Sequence, residues 1–128
     1  MANTLGQYCI TVTDLERSVA FYRDVLGLLD LQRISIPGAE EAILGAADSD
    51  GRIQLAQRDD VPGPIDHGNA LWKFYLYCDD VQAVYDAALA AGATSDMAPT
   101  PLEGWPVIAA FIRDPDGYSI EMLQRLQG

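Results

Sequence analysis

The same order of signals occurs twice along this chain, at an offset of 65 to 67 residues. Each pass opens on a strand. Tyr8, Ile10 and Val12 alternate with Gln7, Cys9 and Thr11, and Phe74, Leu76 and Cys78 alternate with Lys73, Tyr75 and Tyr77. Period-two alternation sends the two sets to opposite faces of a sheet. A helix follows each strand. Thr13-Asp14-Leu15-Glu16 has the spacing of a capping box, Leu15, Val19, Tyr22 and Leu26 recur on one helical face, and Gly27 suits the end. The second helix starts at Asp79 or Asp80, carries Val81, Val84, Tyr85 and Ala88, and stops at Gly92. Asp14 and Asp80 are 66 residues apart, and Gly27 and Gly92 are 65 apart.

Three short strand signals follow each helix, at about 31–36, 41–46 and 52–57 and again at about 94–98, 107–113 and 118–124. Turn residues separate them: Pro37-Gly38, Asp50-Gly51, the stretch from Pro99 to Pro106, and Asp114-Pro115-Asp116-Gly117. The Asp-Gly turns lie 66 apart, but Ile53 and Leu55 match Ile120 and Met122 only at 67. A strand must keep its apolar set on the buried face, so a one-residue slip is expected. Gln54 then corresponds to Glu121. Each half reads as strand, helix and three strands, an α+β class built from two βαβββ modules. Three landmarks within one residue of a common offset outweigh chance similarity. The length of 128 residues suits one domain over 1–128, with modules at about 5–60 and 70–126.

Composition removes whole classes of function. Apolar residues make up 49% and charged residues 21%, as in an ordinary globular domain rather than a disordered or collagen-like chain. Nineteen acidic against eight basic side chains give a net charge of −11, which repels phosphate backbones, so no nucleic acid partner is expected. No run of 18 apolar residues occurs, and the first residues carry no basic stretch followed by an apolar core. No membrane association and a cytoplasmic location are therefore expected. Cys9 and Cys78 form no CxxC and fit a reducing compartment.

The segment from Gln7 to Gly27, with its Thr-Asp-Leu-Glu-Arg-Ser-Val-Ala-Phe-Tyr-Arg-Asp-Val-Leu-Gly run, resembles the opening of the vicinal oxygen chelate superfamily. Phe111-Ile-Arg-Asp-Pro-Asp-Gly-Tyr-Ser-Ile-Glu121 resembles its closing strand pair. With the helix at 80–92, the resemblance covers nearly the whole chain. That group includes glyoxalases, extradiol dioxygenases, fosfomycin resistance enzymes and bleomycin-binding proteins, so the fold alone does not choose a reaction. The resemblance implies two βαβββ modules whose mixed sheets curl around a shared cleft, and a homodimer. It also implies four ligand positions in the metal-dependent relatives. These fall here on Gln7, Gln54, Lys73 and Glu121.

Only Glu121 matches the usual ligand types. Zinc, iron and manganese sites use His, Cys, Asp and Glu. An amide oxygen is a weak neutral donor, and an ammonium has no acceptor at all. The expectation is therefore a degraded metal site with no cofactor, the alternative being one divalent ion. Lys73 is expected to pair with Glu121 across the cleft floor, either orienting a polar ligand or holding the sheets together. Tyr75, Tyr77, Phe111 and Trp105, with Gln7 and Gln54, make an aromatic wall with a few polar groups, which suits a small, partly apolar organic ligand. Trp105 sits in a proline-rich loop at 98–106 able to close over it. Cys9 reads as a small buried thiol, the single histidine His67 as a solvated loop residue, and Arg113 as a strand-end charge. The alternative function is a metal-dependent lyase or isomerase of glyoxalase type with Glu121 as general base. A dioxygenase-like enzyme is disfavoured, because its iron set needs two histidines.

Overall fold

A computed structural model describes residues 2–127. The chain divides into two compact units between Ile65 and Asp66. The first contains β1 (Tyr8–Thr11), α1 (Leu15–Ala20), β2 (Leu29–Ile36), β3 (Ala39–Gly45) and β4 (Arg52–Arg58). The second contains β5 (Phe74–Tyr77), α2 (Val81–Ala90), β6 (Thr94–Pro101), β7 (Val107–Arg113) and β8 (Ser119–Arg125). Each unit is a four-stranded mixed sheet, ordered β1-β4-β3-β2 and β5-β8-β7-β6, with its first strand parallel to its last. The architecture is α+β, with two βαβββ units as the repeat implied. Among the described residues, no helix is long and apolar enough to cross a membrane.

The offset between the halves has a structural cause at each step. Asp14 to Gly27 is one residue longer than Asp80 to Gly92, and the first helix absorbs that residue as a π-turn over Phe21–Val25. There the Leu26 N–H donates to the Phe21 carbonyl at 3.1 Å, one residue further back than an α-helix allows. The expected slip is visible in the pairing: Cys9 faces Gln54, and Tyr75 faces Glu121. Ile53, Leu55, Ile120 and Met122 thus stay on the helix side, and Leu55, Ile120 and Met122 are fully buried.

Three local expectations need correction. The first helix is capped by Asp14, whose carboxylate accepts the Arg17 N–H at 3.2 Å, and not through the Thr13–Glu16 box. Glu16 turns outward and pairs with Arg33 at 2.7 Å, so it is not available to reach back. β6 runs on through Pro99 to Pro101, where the spacing suggested a loop. It is an edge strand, and a proline is tolerated where its missing N–H faces away from the ladder. Tyr118 belongs to the turn before β8, because its N–H donates to the Asp114 carboxylate at 2.9 Å.

Each helix lies on one face of its own sheet. Val12, Val19, Tyr22, Leu44 and Leu55 form the first core, and Val81, Ala88, Ile112, Ile120 and Met122 the second. Tyr8 shares the strand parity of Ile10 but is 71% exposed at the start of β1. Gly27 and Gly92 end the helices at φ +78 and +93, the left-handed region where a side chain is strained. The opposite sheet face of each unit carries the polar and aromatic side chains singled out above.

Candidate functional site

In the second unit, Lys73 immediately precedes β5 and Glu121 sits in mid-β8, flanked by Tyr75 on β5 and Phe111 on β7. Their side chains meet: Lys73 Nζ lies 2.5 Å from Glu121 Oε1, with the side chains only 13% and 9% exposed. Withdrawing two charges from water is costly, and a charge-assisted hydrogen bond offsets it. Aromatic faces add to that. The ammonium stands 4.2 Å from the Trp72 ring centroid, 5.1 Å from Phe111 and 5.2 Å from Tyr75. The Lys73 pKa is raised, chiefly by the hydrogen bond to Glu121, with burial opposing and Tyr75 adding. Lys73 is therefore a fixed cation at neutral pH, held in an aromatic ring of three side chains above a carboxylate.

In the first unit, Gln7 Nε2 donates to Gln54 Oε1 at 2.8 Å. The same pseudo-equivalent positions thus carry an amide pair in one unit and an ion pair in the other. A divalent cation needs acceptor lone pairs directed at one point. The amide pair offers weak neutral donors, and the ammonium sits on the carboxylate oxygen a cation would use. Among the described residues, no three His, Cys, Asp or Glu side chains gather where they could hold an ion. The side chains as arranged do not fit a divalent metal.

The remaining candidate residues fall in different places. Tyr75 and Tyr77 lie on the Lys73 face of β5 and are 51% and 64% exposed, and Phe111 is half-buried beside Glu121. Trp105 lies in the turn between β6 and β7, 71% exposed, its N–H donating to the Leu102 carbonyl. Among the described residues, no side-chain hydrogen bond or ring contact ties Trp105 to Lys73 or Glu121. Cys9 is exposed, which corrects its reading as a buried thiol; its neighbours Gln7 and Tyr8 are exposed too. Its pKa is raised by partial desolvation and by the Glu41 carboxylate. His67 is exposed but not merely solvated: its ring meets Tyr118 edge-on at 4.7 Å and its Nε2 lies 2.9 Å from the Asp116 carbonyl oxygen. Arg113 pairs with Asp96 at 2.8 Å. A cavity of about 180 Å³ lies beside the ion pair, between His67, Trp72, Lys73, Arg113 and Tyr118.

Sequence patterning does not reveal Trp72 as a neighbour of the ammonium. Alternation carried back from β5 puts Lys73 on the face of Tyr75 and Trp72 on the other, but Trp72 lies two residues before β5, where the strand no longer holds a side chain to its face. The signal available is composition alone, a tryptophan beside the one lysine of the chain.

Residues 4–122 match the family described as the Glyoxalase/Bleomycin resistance protein/Dioxygenase superfamily. A lactoylglutathione lyase of Haemophilus influenzae is 34% identical over 119 residues, covering 90% of this chain and 87% of that protein. A probable lactoylglutathione lyase of Vibrio cholerae is 32% identical over 121 residues, covering 92% and 88%. Among solved structures, the trypanothione-dependent glyoxalase I of Leishmania major superposes with a TM-score of 0.81 at 26% identity, over 96% of this chain and 87% of that one. Glyoxalase I of Zea mays gives 0.83 at 26%, and there this chain spans only 44% of the longer protein. These relatives overturn the expectation of no cofactor. Lactoylglutathione lyases stand on the metal-dependent side of the family, so kinship favours one divalent ion even though the side chains here do not form a site for it.

Proposed function

We propose, from the premise that this chain belongs to the Glyoxalase/Bleomycin resistance protein/Dioxygenase superfamily, that it binds a small, partly apolar organic molecule against the aromatic face of its second unit. The observation that carries this reading is the Lys73–Glu121 pair on an aromatic floor at family ligand positions. An ammonium has three donors, and one is spent on Glu121. Tyr75 also draws on the ammonium, which leaves a remaining donor for a ligand oxygen, while the Tyr75 and Phe111 rings face its apolar part. Little is lost in ordering such a site, because the ion pair already fixes both polar groups before a ligand arrives. With that donor set, Lys73 and Glu121 supply the polar chemistry of the face.

A second reading is supported by the names of the relatives: a glyoxalase-type lyase or isomerase. In it Glu121 would take the proton from a carbon next to a carbonyl, and Lys73 would hold the developing oxyanion by hydrogen bonding. Both readings use the same two side chains. In either, the chain is proposed to act as a homodimer.

The test is to titrate a panel of small aromatic carbonyl and hydroxy compounds into isotopically labelled protein. Shift changes are expected to centre on Lys73, Tyr75, Phe111 and Glu121. Binding that leaves these four residues undisturbed overturns the reading. Turnover of a hemithioacetal by the same preparation, abolished in Glu121→Gln, moves the second reading ahead.

A further inference from the structure

We infer that Arg125 and Tyr77 form an anion subsite at the far end of this aromatic face, so that the molecule bound there carries a carboxylate. The inference rests on the reading above and names the class of its ligand: a small aromatic monoacid with a hydroxyl or carbonyl oxygen at its other end.

The observation is a guanidinium that, among the described residues, stacks on a tyrosine ring and pairs with no carboxylate, on a very acidic chain. Arg23, Arg33, Arg58, Lys73 and Arg113 each have a carboxylate within 4 Å. Arg52 and Arg125 have none among the described residues, and of these two only Arg125 stands over an aromatic ring, its guanidinium carbon 4.6 Å from the centroid of Tyr77. Stacking occupies the flat face of a guanidinium and leaves its N–H edge outward. That edge is a fork that fits a carboxylate with two parallel hydrogen bonds. The chain carries a net charge of −11, so most of its surface repels an anion, and an unpaired guanidinium marks a place that does not.

Position decides what else the ligand carries. Tyr77 pairs with Leu123, and Tyr75 pairs with Glu121. Glu121, Leu123 and Arg125 therefore share one face of β8, and Tyr75 and Tyr77 share the same face of neighbouring β5, with Lys73 just before it. Four residue steps along the strand separate Glu121 from Arg125, about 13 Å. A flat molecule lying on Tyr75 and Tyr77 would place one end at the Lys73–Glu121 pair and the other at Arg125. The two tyrosine rings match an arene, and the ion pair matches a hydroxyl or carbonyl. One guanidinium matches one negative charge, which favours a carboxylate over a phosphate dianion beside so many acidic groups.

The test compares 6-hydroxy-2-naphthylacetate with its primary amide by calorimetry at low ionic strength. The two differ only in the group at the Arg125 end, an anionic two-oxygen acceptor against a neutral amide. The acid is expected to bind about tenfold tighter than the amide, the worth of one charge-assisted hydrogen-bond pair. Arg125→Gln should remove that preference while leaving the amide affinity within about twofold. Tyr77→Leu, which keeps the charge but removes its platform, should reduce the preference too. Equal affinities in the unaltered protein, or a preference that survives in Arg125→Gln, overturn the subsite and leave the aromatic-face reading standing. Failure of both probes to bind overturns that reading, and the subsite with it.

Discussion

Gln124 Oε1 accepts the backbone N–H of Val81 at 2.9 Å, so the last strand of the second unit caps the helix of its own unit. The first unit does the same: Gln57 Oε1 accepts the Leu15 N–H at 2.7 Å. The first N–H groups of a helix have no partner within it. Here the N-cap aspartate satisfies one of them, at Ala83 in the second unit, and the glutamine satisfies another. Gln57→Met and Gln124→Met keep the length of the side chain but remove the acceptor. Each is expected to cost about 1–2 kcal/mol, the penalty of stranding a part-buried N–H. Urea denaturation followed by circular dichroism measures it. A loss below a few tenths of a kcal/mol would show that water replaces the glutamine.

Lys73 and Glu121 give a pH signature. Removing one member of a buried pair leaves the other charge uncompensated, so Lys73→Met should destabilise by roughly 3–5 kcal/mol at neutral pH. The Lys73 pKa is raised above its ordinary value of 10.5, so the folded state holds the proton more tightly than the unfolded chain. The contribution is therefore fully present below about pH 10.5 and is lost as pH rises through the higher folded value. The stability gap between the unaltered protein and Lys73→Met should stay level from pH 7 to 10 and narrow above that. A gap that narrows between pH 7 and 9 would mean that Lys73 is not the charged partner.

Much of this arrangement is legible in the sequence, because it follows from periodicity. Alternation places Lys73 on the face of Tyr75, and the one-residue slip places Glu121 beside it. What stays hidden depends on contacts that no local pattern encodes. The Thr13–Glu16 spacing looks like a cap, yet Arg33, 17 residues beyond Glu16, takes that carboxylate away. The π-turn shows only as a 65 against a 66 in the repeat. Arg125 carries no signal of its own, since a lone arginine near a strand end usually points into solvent. Its partner, Tyr77, lies 48 residues away in the sequence. The expected absence of a cofactor rests on donor chemistry alone, and kinship corrects it.

Lys73→His changes the donor set beside Glu121. It removes an ammonium that repels cations and supplies an imidazole next to Glu121, one donor just before β5 and one on neighbouring β8. Affinity for nickel or zinc is expected to rise at least about tenfold over the unaltered protein, as read by calorimetric titration. An affinity unchanged by the substitution would mean that Lys73 does not control cation access to Glu121.

Cys78 provides an independent check on burial in the second unit. Desolvation, with the Asp79 and Asp80 carboxylates adding, pushes its thiol up to about 11. Its Sγ faces the Leu76 carbonyl at 3.8 Å, and no cationic group offsets the shift. The thiolate is the reactive form. At pH 8 about one thiol in a thousand would be ionised, against about a quarter for an ordinary cysteine near 8.5, so alkylation should be on the order of a hundredfold slower. Cys9 also has a raised pKa but is exposed, so iodoacetamide should label it first. Peptide mass spectrometry over a time course separates the two sites. The Cys78 rate should climb about tenfold per pH unit up to its pKa. Labelling of Cys78 as fast as Cys9 at pH 8 would place its thiol in water.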